Sequence, residues 1–275
     1  MLNYAQYFLD IVIVDSTYKR NRFNMVLINI LGVNNYGKNV MLAFGLVSVE
    51  TISTYDWIFK NLKKAWKKDP LNFISDECAS ILNGLKNNLN SRCIVRGWHI
   101  QTNIISHLSG VNKKNSSLYQ RAISLPFVTK EEKYKQILTD LQNSQDLSDT
   151  QKEYIKKKVE TENLWAKWLL KNKYAGGIST TSRVESLHAT QKKYLNSSSS
   201  LQKVFKCFQT IEKLQIEKFQ EEFQRHKSSS KLHLSDIKAL EQIKDHVPEY
   251  VHKKLLPKFC KALNYSKEKL THDSW

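Results

Sequence analysis

The sequence predicts an α/β protein: a mixed-sheet core, an all-helical insertion and a set of C-terminal helices. Three observations point there. Apolar runs rich in Val, Ile and Leu fill the first hundred residues and alternate with amphipathic helical stretches. From about residue 112 to 177 the chain turns polar, rich in Lys and Gln, with apolar anchors at helical spacing. Only 8 Gly and 4 Pro interrupt 275 residues, a composition that leans to helix. That length holds one large domain or a core with an inserted subdomain.

Residues 8–14 form an apolar run that leads into Asp15 and read as a strand. Residues 25–33 and 40–48 read as two more, joined by Asn34-Asn35-Tyr36-Gly37-Lys38, whose Asn and Gly tolerate positive φ. That predicts a hairpin. Over 51–68, Ile52, Tyr55, Ile58, Phe59, Leu62 and Trp66 recur at the spacing of one helical face, and Pro70 ends the helix. A short strand over 71–75 runs into Asp76. Ala79, Ile81, Leu82 and Leu85 supply a second helix, and residues 92–95 a further strand before Trp98 and His99.

Three adjacent strands, then helix, strand, helix and strand, are the order expected of an RNase H-like core. The expected division is core over 1–110, helical insertion over 111–178, a returning core helix over 179–200 and a C-terminal helical region over 201–275. Gly176-Gly177 closes the insertion, Ser179 to Ser182 offer helix-start chemistry, and a helix runs through Glu185 towards Asn196. The serines at 197–200 mark a break before a long helix over 201–223.

With 43 Lys and Arg against 26 Asp and Glu, the chain carries a formal charge of +17. A soluble chain so basic attracts polyanions, nucleic acid first among them, although lysines such as those at 156–158 also read as a solvated helix face. Four scattered cysteines make neither a disulfide framework nor a CxxC zinc site, which suits a reducing compartment. The first apolar run is too short to span a bilayer, is broken by Asp10 and lacks the basic leader of a signal peptide. No membrane partner is expected.

Asp15 and Asp76 each follow an apolar strand, and Glu185 lies on a helix after the insertion. Carboxylates so placed can converge on a pair of Mg²⁺ or Mn²⁺ ions, which take oxygen ligands and phosphate and promote phosphodiester cleavage or strand transfer. Each residue also has a plain structural use. Asp15 suits a turn after a strand, Asp76 an N-cap for a helix beginning near Glu77, and Glu185 a capping box with Ser182. Spacing alone leaves both uses open.

Sequence motifs add to this. Asp15-Ser16-Thr17-Tyr18-Lys19-Arg20-Asn21, the stretch that follows to Thr51, and Tyr55-Asp56-Trp57 resemble the opening of the MULE (Mutator-like element) transposase domain. The resemblance continues, in the family's order, through Phe73-Ile74-Ser75-Asp76, Gly97-Trp98-His99-Ile100 and Thr180-Thr181-Ser182-Arg183-Val184-Glu185-Ser186-Leu187-His188. It implies that Asp15, Asp76 and Glu185 are the acidic triad of a DDE-type, Mg²⁺- or Mn²⁺-dependent DNA transposase. The implied partner is DNA bearing terminal inverted repeats, the implied location the nucleus, and a homo-oligomer is compatible with the long C-terminal helices. The resemblance also implies kinship with the plant far-red-impaired-response proteins, regulators domesticated from such transposases.

Lys19, His99, Arg183 and His188 stand beside these motifs and are candidate DNA contacts. His99 alternatively packs at a helix start, and His188, three residues after Glu185 on one helix face, can hydrogen-bond a carboxylate. Trp57, Trp66 and Trp98 read as core. One departure stands out: where the family has Cys three residues before the motif histidine, this chain has Arg96. No C-x-C or paired Cys/His pattern is present, so no structural zinc is expected, and the chain reads as a catalytic domain without zinc-containing targeting modules. Three functions follow: an enzyme that cuts and joins DNA, a transposase-derived regulator that holds DNA without turnover, and, after these, a generic RNase H-like nuclease.

Overall fold

The computed structural model describes residue 5 and residues 7–108, 117–170 and 182–228, side chains at 182–185 and 226–228 excepted. Strands β1 (Ile11–Thr17), β2 (Val26–Val33) and β3 (Asn39–Val47) form an antiparallel meander. The anticipated hairpin turn is there: Asn34 accepts from Gly37 N and Lys38 N, and Gly37 takes φ 72°. Strands β4 (Asn72–Ser75) and β5 (Arg92–Val95) then add in parallel, giving one mixed sheet of order β3-β2-β1-β4-β5.

Strand alternation sorts the apolar side chains onto two faces. Val12 and Val14, with Ile28, Ile30 and Phe73, pack against α1 (Ile52–Trp66) and α2 (Ala79–Asn88). Tyr55, Phe59 and Phe73 are fully buried there, each large apolar side chain contributing about 1.5–3 kcal/mol. A Cβ at Gly84 would lie 2.8 Å from Tyr55 Cβ, so only glycine lets α1 and α2 approach this closely. Thr51 caps α1 by accepting from Thr54 N. Ile11, Ile13, Leu27, Leu31 and Ile74 face the other way, against Leu187 of α8 (Ser182–Tyr194) and Val204, Phe208 and Ile211 of α9 (Leu201–Ser228).

Between these lies a helical region: α4 (Ser117–Ser124), α5 (Glu131–Asn143), α6 (Asp149–Val159) and the short α7 (Lys167–Leu170). It has its own core of Leu125, Tyr134, Ile137, Leu141, Ile155 and Trp165, shared with Ile100 and Ile104 of α3 (Gly97–His107), the helix that leaves β5.

Three expectations need correction. β1 does not end before Asp15; its ladder with β2 runs on to Thr17 opposite Leu27, so Asp15 sits inside the strand opposite Asn29. Trp57 and Trp98 are not core, being 64% and 48% exposed, because they fall off the buried stripes of α1 and α3, whereas Trp66 is buried. Lys158 is not solvated: its Nζ lies 2.5 Å from both Glu77 carboxylate oxygens, and Asn103 donates to the same group at 2.9 Å.

Candidate functional site

The sheet register brings three charged residues into one row. β1 and β4 pair as Ile11 with Asn72 through Ile13 with Ile74, and continuing that step sets Asp15 beside Asp76. β4 and β5 pair as Asn72 with Arg92 through Ser75 with Val95, which sets Asp76 beside Arg96. Parallel neighbours are about 4.8 Å apart and residues in one row lean to one face. Asp15 shares parity with Ile11 and Ile13, so it points to the face that α8 and α9 cover.

Two carboxylates so close repel each other unless a cation lies between them. Here the cation is Arg96. Its Nη2 donates to Oδ1 of Asp15 and to Oδ1 of Asp76, joining the two strands through one nitrogen. The Arg96 and Asp15 side chains are only 9% and 10% exposed, so this pair sits in a setting where charge is poorly screened. Arg96 Nε is buried without a hydrogen-bond partner among the described residues. The two carboxylates, rather than a full set of acceptors, hold the guanidinium.

Both motif histidines complete the cluster. His99, on the first turn of α3, lies with Nε2 2.7 Å from Asp76 Oδ1. His188, on α8, lies with Nε2 3.0 Å from Asp15 Oδ2 and 3.4 Å from Asn29 Nδ2. Nε2 cannot donate to a carboxylate and accept from an amide at once, so the shorter contact to Asp15 is the bond. Gln191 Nε2, one turn further along α8, donates to Asn29 Oδ1 at 2.7 Å and fixes the helix on the sheet. Burial works to raise the Asp76 pKa, but the His99 hydrogen bond and the Arg96 charge outweigh it and hold the carboxyl below its ordinary 3.8.

Asp76 is not an N-cap: α2 starts at Ala79, and the residue at its cap, Cys78, makes no side-chain cap bond. Glu185 lies in α8 one turn before His188, with its side chain outside the described residues, as is that of Arg183. Lys19 is exposed at φ 56°, two residues past the end of β1. Sequence reasoning marked Arg96 only as a departure from a motif. The signal that could have found it is positional: it follows β5 by one residue, as Asp76 follows β4.

The expected metal meets a donor set that is already engaged. Three of the four oxygens of Asp15 and Asp76 accept from Arg96, His99 or His188. As arranged, the guanidinium takes the position between the two carboxylates that a divalent ion bridging them would need. Among the described residues no cluster of three or more His, Cys, Asp or Glu can hold a metal. A cavity of about 570 Å³ lies between the β2–β3 hairpin and helices α8 and α9, and none of the residues in the charged row lines it. Among the described residues no helix is long and apolar enough to cross a membrane.

Comparison with known proteins agrees with the motifs. Residues 11–103 match the MULE transposase domain. The chain is 23% identical over 217 residues to Protein FAR1-RELATED SEQUENCE 5 of Arabidopsis thaliana, covering 77% of this chain and 27% of that protein. It is 21% identical over 207 residues to Protein FAR-RED IMPAIRED RESPONSE 1 of the same plant, covering 74% and 25%. Protein FAR1-RELATED SEQUENCE 6, also from that plant, is 32% identical over 74 residues, covering 27% and 10%. The chain therefore spans about a quarter or less of these relatives' length. Residues 11–103, which supply Asp15, Asp76, Arg96 and His99, are the part of the chain that is similar to the MULE transposase domain.

Proposed function

We propose that this chain is a transposase-derived DNA-binding domain that holds DNA without turnover. The observation that carries this reading is the Arg96 guanidinium between Asp15 and Asp76. Two of the acids that phosphodiester chemistry would use, Asp15 and Asp76, are engaged by Arg96, His99 and His188. The charge of +17 supplies attraction to a polyanion, and Lys19 and Arg183 are the basic residues of the motifs that would contact phosphate. Exposed Trp98, its ring 4.9 Å from that of His99, offers a face on which an unpaired base can stack.

The core is RNase H-like in this reading, supported by an antiparallel meander extended by two parallel strands in the order β3-β2-β1-β4-β5. Residues 111–178 are then an insertion between the second and third acidic positions, 179–200 return to the core, and the C-terminal region begins with α9; the rest of that region, 229–275, lies outside the described residues. A DNA partner implies a nuclear location. Self-association would run through exposed apolar residues of α9 such as Phe223.

The catalytic reading keeps one specific support. Asp15 and Asp76 do converge, and Glu185 lies one helical turn from His188, which reaches Asp15. In that reading Asp15, Asp76 and Glu185 are the triad of a Mutator-like transposase acting at terminal inverted repeats, and Mg²⁺ or Mn²⁺ supplies Lewis-acid chemistry when bound.

Fluorescence anisotropy and a nicking assay separate the two. The expected result is DNA binding that weakens steeply with salt and no cleavage with Mg²⁺ or Mn²⁺. Cleavage by the wild type that disappears in Asp76→Asn would establish the enzyme instead, and salt-independent or absent binding would remove DNA as the partner.

A further inference from the structure

We infer that Arg96 is the resident cation of the Asp15–Asp76 pair, and that it excludes a divalent ion from a position which a single substitution at residue 96 opens. The inference deepens the non-catalytic reading and rests on the same carboxylates, but not on DNA binding.

Position 96 is the third member of a row that spans β1, β4 and the end of β5. Its backbone is extended, φ −65° and ψ 121°, at the junction of β5 and α3, and its amide donates to Ser75 O at 3.2 Å. The main chain is thus fixed at the strand end. From there the long side chain reaches across the row, passing Asp76 to place Nη2 against both carboxylates. A single nitrogen bridging an oxygen from each acid is the arrangement of a point cation. The other guanidinium geometry, a bidentate fork to one carboxylate, is not used.

The charge balance explains why the exchange is local. With Arg96, two carboxylates meet one guanidinium, Arg96 and Asp15 buried and Asp76 partly exposed. Without it, two oxygen-donor groups on neighbouring strands face each other uncompensated, with His99 and His188 still orienting them from either side. Hard oxygen donors of this kind take Mg²⁺ or Mn²⁺. The apolar packing of α1 and α2 on the sheet lies on the face away from the row, and the folding of each variant is measured in the test below.

The test is a titration of the DNA-free chain with Mn²⁺, followed by calorimetry and by the electron paramagnetic signal of the free ion. Arg96→Ala, Arg96→Gln and Arg96→Lys are compared with the wild type, with circular dichroism to establish folding. Wild type and Arg96→Lys, which keep a cation, are expected to show no saturable site at millimolar ion. Arg96→Ala or Arg96→Gln is expected to gain one site, at least tenfold tighter than any wild-type binding and lost on adding Asp76→Asn. A wild-type site that binds Mn²⁺ and depends on Asp76 overturns the inference whatever the variants do. Folded Arg96→Ala and Arg96→Gln proteins that bind no Mn²⁺ overturn it too. Neither outcome depends on DNA, so a failure of DNA binding is read separately.

Discussion

The sheet and the helical region meet at two consecutive acids, and each region uses its acid differently. Asp76 faces the strand row, where Arg96 and His99 bind one of its oxygens and its partner Asp15 is a second acid. Glu77 faces the helices, where Lys158 and Asn103 bind it and, among the described residues, no second acid pairs with Lys158. The Glu77 arrangement is a strut: one cation, one anion, and a link from α6 to the chain just after β4. The Asp76 arrangement binds two anions with one cation, so the charge of the acid pair is not balanced by Arg96 alone. Adjacent residues of similar chemistry thus serve, in one case, a row of two acids around one arginine and, in the other, the attachment of the helical region to the sheet.

Breaking the row should cost most. Asp15→Ala removes the partner of Arg96 and His188 at a site where charge is poorly solvated, and is expected to destabilise the fold by about 3–5 kcal/mol in urea denaturation. Asp15→Ala and Arg96→Ala together should cost less than the sum of the two, since the second loss removes a charge already stranded. Breaking the strut should cost less. Lys158→Ala is expected to lose roughly 1.5–3 kcal/mol and to speed hydrogen exchange in α5 and α6 while sparing β1 and β2. Equal loosening of the sheet would show that the two regions do not respond independently. The smallest effect is at the surface: Lys19→Ala should leave stability unchanged and lower the salt slope of DNA binding by about one.

The sheet and its flanking helices were legible because periodicity is a property of the chain itself. Strand β5 and helix α1 fall where alternation and the helical stripe place them. The acid positions were legible as candidates, and the motif order separated Asp76 from a capping residue, which Cys78 proves to be the nearer claimant without making the bond. What the sequence could not carry was register. That Asp15 lies inside β1, and that Asp15, Asp76 and Arg96 form one row, depends on which residues pair across strands far apart in the chain. Lys158 was illegible for the same reason: a lysine in a basic run looks solvated until its partner, 81 residues away, is folded against it.

Because the row is a charge cluster, its response to pH reports directly on whether Arg96 sits where the geometry puts it. The Asp76 pKa is depressed below 3.8, so its stabilising contribution is fully present above the ordinary carboxylate value and is lost as pH falls through the lower folded one. The decisive measurement is the carboxyl titration of Asp76 by carbon-detected NMR in the wild type and in Arg96→Gln. A wild-type pKa below 3.8 that rises when Arg96 is replaced is the expected result. An Asp76 pKa that is unchanged by the substitution would contradict the bridge and everything built on it.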